Sequence, residues 1–147
     1  MKLSLLLWLS SLLPPPVADD VCLATTVYLE ARNQSSLGQQ AVAEVALRRL
    51  ESGRWGESMC AVVMAPKQFA PTLMPTDYEV DNLKAWHRAM KIALHTQREW
   101  QRPHDRRQLL VPGADSFVVL ARASPVWARG TPVAQIGDHT FYNVTRL

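Results

Sequence analysis

The chain has 147 residues, 48% of them apolar and 20% charged, enough for one domain with a real core and too short for two comfortable ones; such values exclude disordered and collagen-like classes. Its net charge of +3 comes from 16 basic residues, 12 of them arginine, against 13 acidic ones, which is well short of a nucleic-acid arm but suited to an anionic surface such as a cell wall. Five tryptophans supply flat faces that stack on sugars as readily as they fill cores.

At the N-terminus Lys2 precedes LSLLLWLSSLL, an apolar run of 11 residues, followed by PPPVADD. A spanning helix needs about 20 apolar residues. The run therefore predicts an export signal over residues 1–18, outside the fold and cut after Ala18, and any membrane contact is expected through this segment alone. Pro16 is a poor residue two positions before such a cut, and an uncleaved apolar tail or weak anchor is the alternative. Export would place residues 19–147 in an oxidising compartment, where Cys22 and Cys60, 38 positions apart, are expected to pair. In a cytosolic chain the same cysteines would read as two buried free thiols. With two isolated cysteines and scattered histidines there is no ligand spacing for zinc, and neither metal nor cofactor is expected.

Asp19 or Asp20 is predicted to cap a first helix running to about Arg32. Ser36 caps a second, Leu37 to Ser52, which Gly53 stops. On its polar side Glu44 and Arg48 stand four apart and read as a solvated ion pair. A short helical piece carries Cys60 through Met64, and Gln68 to Thr76, with Pro71 and Pro75, reads as a loop. The third long helix is predicted from Asp81 to Trp100, with an apolar stripe of Leu83, Trp86, Met90, Ala93, Leu94 and Gln97. Its other face carries Lys84, His87, Arg88, Lys91, His95 and Arg98, a cationic row that is either solvated or leans on anionic polymer. After an arginine-rich loop, Ser116 to Ala121 is strand-like, and VAQIG and HTFYN flank a Gly137-Asp138 turn signal. Helices first and a small β element late make the fold class α+β.

Within Val21 to Ala31, Glu30 is the only charged side chain, on a helix apolar nearly all round. A carboxylate there must be paired, or its pKa must rise. A carboxylic acid kept protonated near neutral pH is the general acid that glycoside cleavage requires. A structural ion pair with Arg32 or an arginine of the second helix is the competing reading.

Five patches in order, CLATTVYLEAR, GQQAVAEVALRRLESGRW with MCAVV, QFAPT, and SPVWARGTPVAQIGDHTFYN, resemble the SleB-type cell wall hydrolase family, which includes spore cortex-lytic enzymes and phage endolysins. The resemblance spans Cys22 to Asn143 and implies a lysozyme-like fold, mainly helical, that cleaves between N-acetylmuramic acid and N-acetylglucosamine in peptidoglycan. It places the catalytic acid on Glu30. In a lytic transglycosylase one such residue protonates the leaving oxygen and then deprotonates the muramic 6-hydroxyl, which closes on C1 to give an anhydro product.

Substrate-contact candidates follow with their plainer readings. Tyr28 could bond the glycan or belong to the core. Gln39 could be a polar contact or a solvated helix residue. Gln68 and Phe69 lie in a loop able to line a glycan groove, although Phe69 could simply cover the core. Trp127, between prolines at 125 and 132, is the better sugar-stacking candidate, with Trp86 read as core. His139 and Tyr142 could reach across the site or be satisfied structural residues. Two departures from the family pattern, Asn33-Gln34 after Glu-Ala-Arg and Arg48-Arg49 where Asn-Arg is usual, are expected to alter the cleft's charge. The leading expectation is an exported, monomeric, peptidoglycan-cleaving enzyme of phage origin. A cellular wall-remodelling or germination enzyme, or a non-catalytic glycan- or lipopolysaccharide-binding module, is the alternative.

Overall fold

Proline decides where the first long helix begins. In a computed structural model of the chain, which describes residues 1–66 and 68–145, α1 covers Leu3–Ser11 and α2 Pro15–Ala31. Pro15 and Pro16 occupy the first helical positions, where a preset φ helps and the missing N–H costs nothing. The helix thus starts four residues before Asp19, and neither aspartate caps it. Asp19 instead accepts from the Met59 N–H at 3.1 Å, and Asp20 accepts from Gln97 at 2.8 Å. Helix α3 (Ser36–Ser52) is capped by Ser35, not Ser36: the Ser35 hydroxyl accepts from the Gly38 N–H at 3.2 Å. It ends as predicted at Gly53, left-handed at φ +72°. Helix α4 is Met59–Val63, and the expected loop after it contains a single turn, α5 (Ala70–Leu73). Asn82 caps α6 (Leu83–Trp100), accepting from the Ala85 N–H at 3.0 Å.

Helix α2 is the spine, packed by α6, α3 and α4. Leu23, Val27 and Tyr28 meet Val42, Val45, Val62, Ala89 and Ala93 in one core, and a Cys22–Cys60 disulfide ties α2 to α4, as expected. The inward face of α6 is rotated from the predicted stripe. Ala89, Ala93 and Thr96 are buried, whereas Leu83 is 70% exposed; small side chains let α6 approach α2 closely, and the larger ones are left at the rim.

One further expectation is corrected. Glu44 is not solvated but 1% exposed, because residues 108–111 fold back over α3 and donate the Leu110 and Val111 N–H groups to its carboxylate at 2.9 and 3.0 Å. The segment before α2 packs against the rest of the chain. Leu3 is 2% exposed in the core, Lys2 forms a β-bridge with Glu79, and the Met1 ammonium pairs with Glu79 at 3.2 Å. An apolar run surrounded by water buries part of itself on the nearest apolar surface. Among the described residues no helix is long and apolar enough to cross a membrane.

The chain ends in a three-stranded antiparallel sheet in the order β1-β3-β2, with β1 Ser116–Val118, β2 Ala134–Ile136 and β3 His139–Tyr142. Phe117 faces Phe141, and Gln135 faces Thr140. Gly137, at φ +59°, makes the tight β2–β3 turn at the predicted place. The sheet packs beside α3. The α+β, lysozyme-like arrangement expected from the sequence is the one observed, with a cleft between helices and sheet.

Candidate functional site

Glu30 sits in the last turn of α2, where the helix leaves the core and reaches that cleft. It lines a hollow of about 380 Å³ together with Arg49, Gln68, Leu73, Phe117, Arg122 and His139. Toward the β2–β3 turn a second hollow of about 240 Å³ shares Glu30, Arg122 and His139 and adds Asn33, Gln34 and Asp138. On the other side a third, of about 590 Å³, shares Arg49, Gln68 and Phe117 and adds Trp55, Asp115 and Trp127. The shared walls make one groove with Glu30 near its middle.

The Glu30 carboxylate is held by one short bond: Oε1 accepts from the Ala70 N–H at 2.6 Å. Oε2 has no partner among the described residues, so the other oxygen is available to the groove. Burial pushes the carboxyl above its ordinary value, against the opposing pull of the Ala70 bond and the Arg49 cation. The competing sequence reading, a direct ion pair with an arginine, is not what is found; Arg49 acts on Glu30 through its charge.

Arg49 is the organising cation; the sequence pointed to it only as an arginine of the second helix, beside the departure at Arg48. Its Nε donates to the Asp115 carbonyl at 2.7 Å and its Nη1 to Gln68 at 3.3 Å. The guanidinium stacks on Trp55 and on Phe69, each 4.8 Å from the ring centroid. Burial lowers its pKa and the charges of Asp115 and Glu30 raise it. Asp115 in turn accepts from the Val144 and Thr145 N–H groups at 2.9 and 3.2 Å. Burial works against ionisation of Asp115, but these bonds outweigh it and hold the carboxyl below its usual range. One aspartate therefore fixes both the end of β3 and the arginine. No local periodicity announces this; the i,i+66 pairing exists only in the folded chain.

The sequence candidates separate into two groups. Gln68, Trp127 and His139 line the groove. Trp127 stands edge-on to Tyr142 at 5.9 Å and 80°, so Tyr142, almost buried, supports the Trp127 ring. Tyr28, Gln39 and Phe69 are corrected. Tyr28 is a core residue whose hydroxyl accepts from the Asn82 N–H at 3.4 Å, edge-on to Trp86. Gln39 is neither solvated nor in the groove: it is buried and donates to the Gln34 carbonyl at 3.2 Å. Phe69 is fully buried beneath Arg49 and beside Phe117. Tyr28 packs against Trp86 of α6 and Phe69 against Arg49 of α3, whereas Gln39 is held inside by its bond to the Gln34 carbonyl.

His139 opens β3 edge-on to Phe117 at 5.2 Å. Its Nδ1 is buried without a hydrogen-bond partner among the described residues. Burial lowers its pKa, Asp138 opposes that and Arg122 adds to it, so the ring is neutral and polar against the Glu30 hollow. Gln34, the other departure noted in the sequence, proves structural. Its Nε2 donates to Asp138 at 2.9 Å and its Oε1 accepts from the Asp138 N–H at 3.1 Å, clasping the end of α2 to the β2–β3 turn. Among the described residues no group of side chains is arranged to hold a metal ion.

The geometry is that of a half-buried acid at mid-groove with a cation below, an aromatic shelf at one side and amides at the other. Comparison with known proteins adds two findings. The sequence profile of the Cell Wall Hydrolase family matches residues 33–142, beginning three residues after Glu30. The crystal structure of the catalytic domain of the Bacillus cereus SleB protein is similar at 26% identity and a TM-score of 0.65, over 84% of this chain and 89% of that one. No curated protein matches the sequence.

Proposed function

The chain belongs to the cell wall hydrolase family, and from that premise we propose that it cleaves the glycan strands of peptidoglycan as a lytic transglycosylase, with Glu30 as acid and then base. The observation that carries this reading is the state of Glu30: a carboxyl raised by burial, anchored through Oε1 and open through Oε2, at the middle of a groove.

A strand laid along the groove brings its glycosidic oxygen to the free Glu30 oxygen. Protonation releases the sugar on the leaving side. The ionised carboxylate then takes the proton of the muramic 6-hydroxyl as that oxygen bonds to C1, closing an anhydro ring and restoring the acid. Arg49 stabilises the transient carboxylate, which is the form its charge favours. In the central hollow Glu30 is the one carboxylate among the described lining residues. Asp115 has both oxygens committed to backbone N–H groups, and Asp138 is clasped by Gln34. Among the described residues no second carboxylate shares the central hollow with Glu30, which favours the intramolecular nucleophile over water. Trp127, supported by Tyr142, is assigned to stacking on a sugar ring, and Gln68 and His139 to its hydroxyl and amide groups.

We include in the proposal export directed by residues 1–18, action outside the cytoplasm as a monomer, and an endolysin role in host lysis. Mass spectrometry of muropeptides released from purified sacculi tests the chemistry. Anhydro ends are expected; reducing ends alone would show that water is the nucleophile and overturn the transglycosylase reading.

A further inference from the structure

Helix α6 carries four permanent cations, Lys84, Arg88, Lys91 and Arg98, against one acid, Glu99. That difference of three equals the net charge of the whole chain, +3, so every other segment taken together is balanced. The protein is not diffusely basic; its excess charge lies on one helix.

The four cations also share a face. At 3.6 residues per turn, positions 84, 88, 91 and 98 form one row with His87 and His95 beside it, about 21 Å from end to end, and all six are exposed. Lys84, Lys91 and Arg98 have no carboxylate partner among the described residues, and Arg88 touches only the Ser36 hydroxyl, at 3.1 Å. Surface helices ordinarily relieve such a row with acids three or four residues away. Here Glu99 is turned aside to Arg102 and the Gln108 N–H, and Asp81 lies before the first turn. None of the groove-lining residues comes from α6, so this face is separate from the cleavage site.

We propose that the exposed face of α6 is a docking surface for a linear polyanion with one phosphodiester per repeat. Lys84, Arg88 and Lys91 follow one another at about 5–6 Å, and Arg98 lies two turns further on, about 10.5 Å along the axis, so the row as a whole tracks a chain of successive phosphates. A lipid surface is the poorer fit. An interfacial helix inserts its apolar face, and here that face, with Ala89, Ala93 and Trp86, is packed against the protein core. Docking through α6 would hold the protein on an anionic wall polymer while the groove engages glycan. The inference does not depend on the glycan chemistry and is tested without it.

The probe is long-chain inorganic polyphosphate, titrated against the full chain near neutral pH over a range of NaCl concentrations. Four contacts on a flexible polyanion predict a slope of log K against log salt of about −2.8, or about 50-fold weaker binding between about 50 and 200 mM salt. Lys84→Gln, Arg88→Gln, Lys91→Gln and Arg98→Gln together should flatten the slope toward zero. Arg106→Gln with Arg129→Gln, which removes two exposed cations elsewhere, should leave it unchanged, as should Lys84→Arg with Lys91→Arg. If the fourfold variant does not fold, the pairs Lys84→Gln/Arg88→Gln and Lys91→Gln/Arg98→Gln should each remove about half of the slope. A slope unmoved by the α6 changes, an equal loss in the Arg106/Arg129 control, or binding to phosphatidylglycerol vesicles with none to polyphosphate overturns the proposal.

Discussion

Replacing Glu30 by glutamine separates the two consequences of burying its carboxyl. The amide is isosteric and its oxygen can still accept from the Ala70 N–H, so the groove keeps its shape, but there is no proton to give. General acid–base catalysis contributes about 10²–10⁴-fold, and release of soluble muropeptides from sacculi should fall by at least about 100-fold. Stability should move the other way. Burial raises the folded-state pKa of Glu30 above 4.5, so between 4.5 and that raised value the folded protein holds a proton that the unfolded chain has lost, and stability declines across this window as pH rises. Each unit of elevation costs about 1.4 kcal/mol above it. Glu30→Gln removes this penalty, and its melting temperature should exceed that of the parent by an amount that is small near pH 4 and larger at pH 8, at about 2–4 °C for each kcal/mol removed. Glu44 is also raised by burial, but it is common to both proteins and cancels. Melts at a series of pH values, with lysis assays on the same samples, check both halves. Lysis reduced less than about tenfold would refute the acid assignment, and a melting difference constant with pH would refute the desolvation argument.

Arg49→Gln should move the alkaline limb of the pH–rate profile upward, because the cation that lowers the Glu30 pKa is gone; an unmoved limb would mean that Arg49 serves only to hold Asp115 and Gln68. Glu44→Ala should cost about 2–4 kcal/mol in urea unfolding, since two buried N–H groups at 110 and 111 lose their acceptor. Reduction of Cys22–Cys60 frees a 38-residue loop and should lower stability by about 4 kcal/mol in the chain-entropy model, seen as an earlier melt in dithiothreitol.

What could be read in the sequence was what local chemistry determines. Glu30 was conspicuous because a charge on an apolar helix needs a reason, and the Gly137-Asp138 turn and the Gly53 stop follow from left-handed backbone preference. What could not be read depends on segments distant in the chain. Glu44 and Arg48 have the spacing of a surface pair, and nothing within α3 reveals that residues 108–111 will cover it. Arg49 was not singled out from its neighbour Arg48, because its partners at 68, 115 and 116 lie 19 to 67 positions away. Tyr28 was ambiguous because a polar tip on an apolar body suits a core and a cleft equally, and packing beside Trp86 of α6 placed it inside; Gln39 was read as a groove contact or solvated, and its bond to the Gln34 carbonyl holds it inside instead. The helix start shifted because proline's fixed φ outweighed aspartate's capping preference.

With Glu30 as the proposed acid, its position in two adjoining hollows at once has a consequence for which strands would be cut. An acid at the end of a blind pocket would trim strands sugar by sugar from a terminus. An acid in mid-groove, with the Gln34–Asp138 clasp on one flank and Trp127 on the other, cuts where chain lies on both sides of it. Such a site acts as a ruler: oligosaccharides too short to occupy both flanks gain only part of the binding that orients the bond, and turnover should rise steeply with length until the groove is full. Attack would then fall on the interior of long strands, so that a few cuts release the tension of a wall before much material is dissolved.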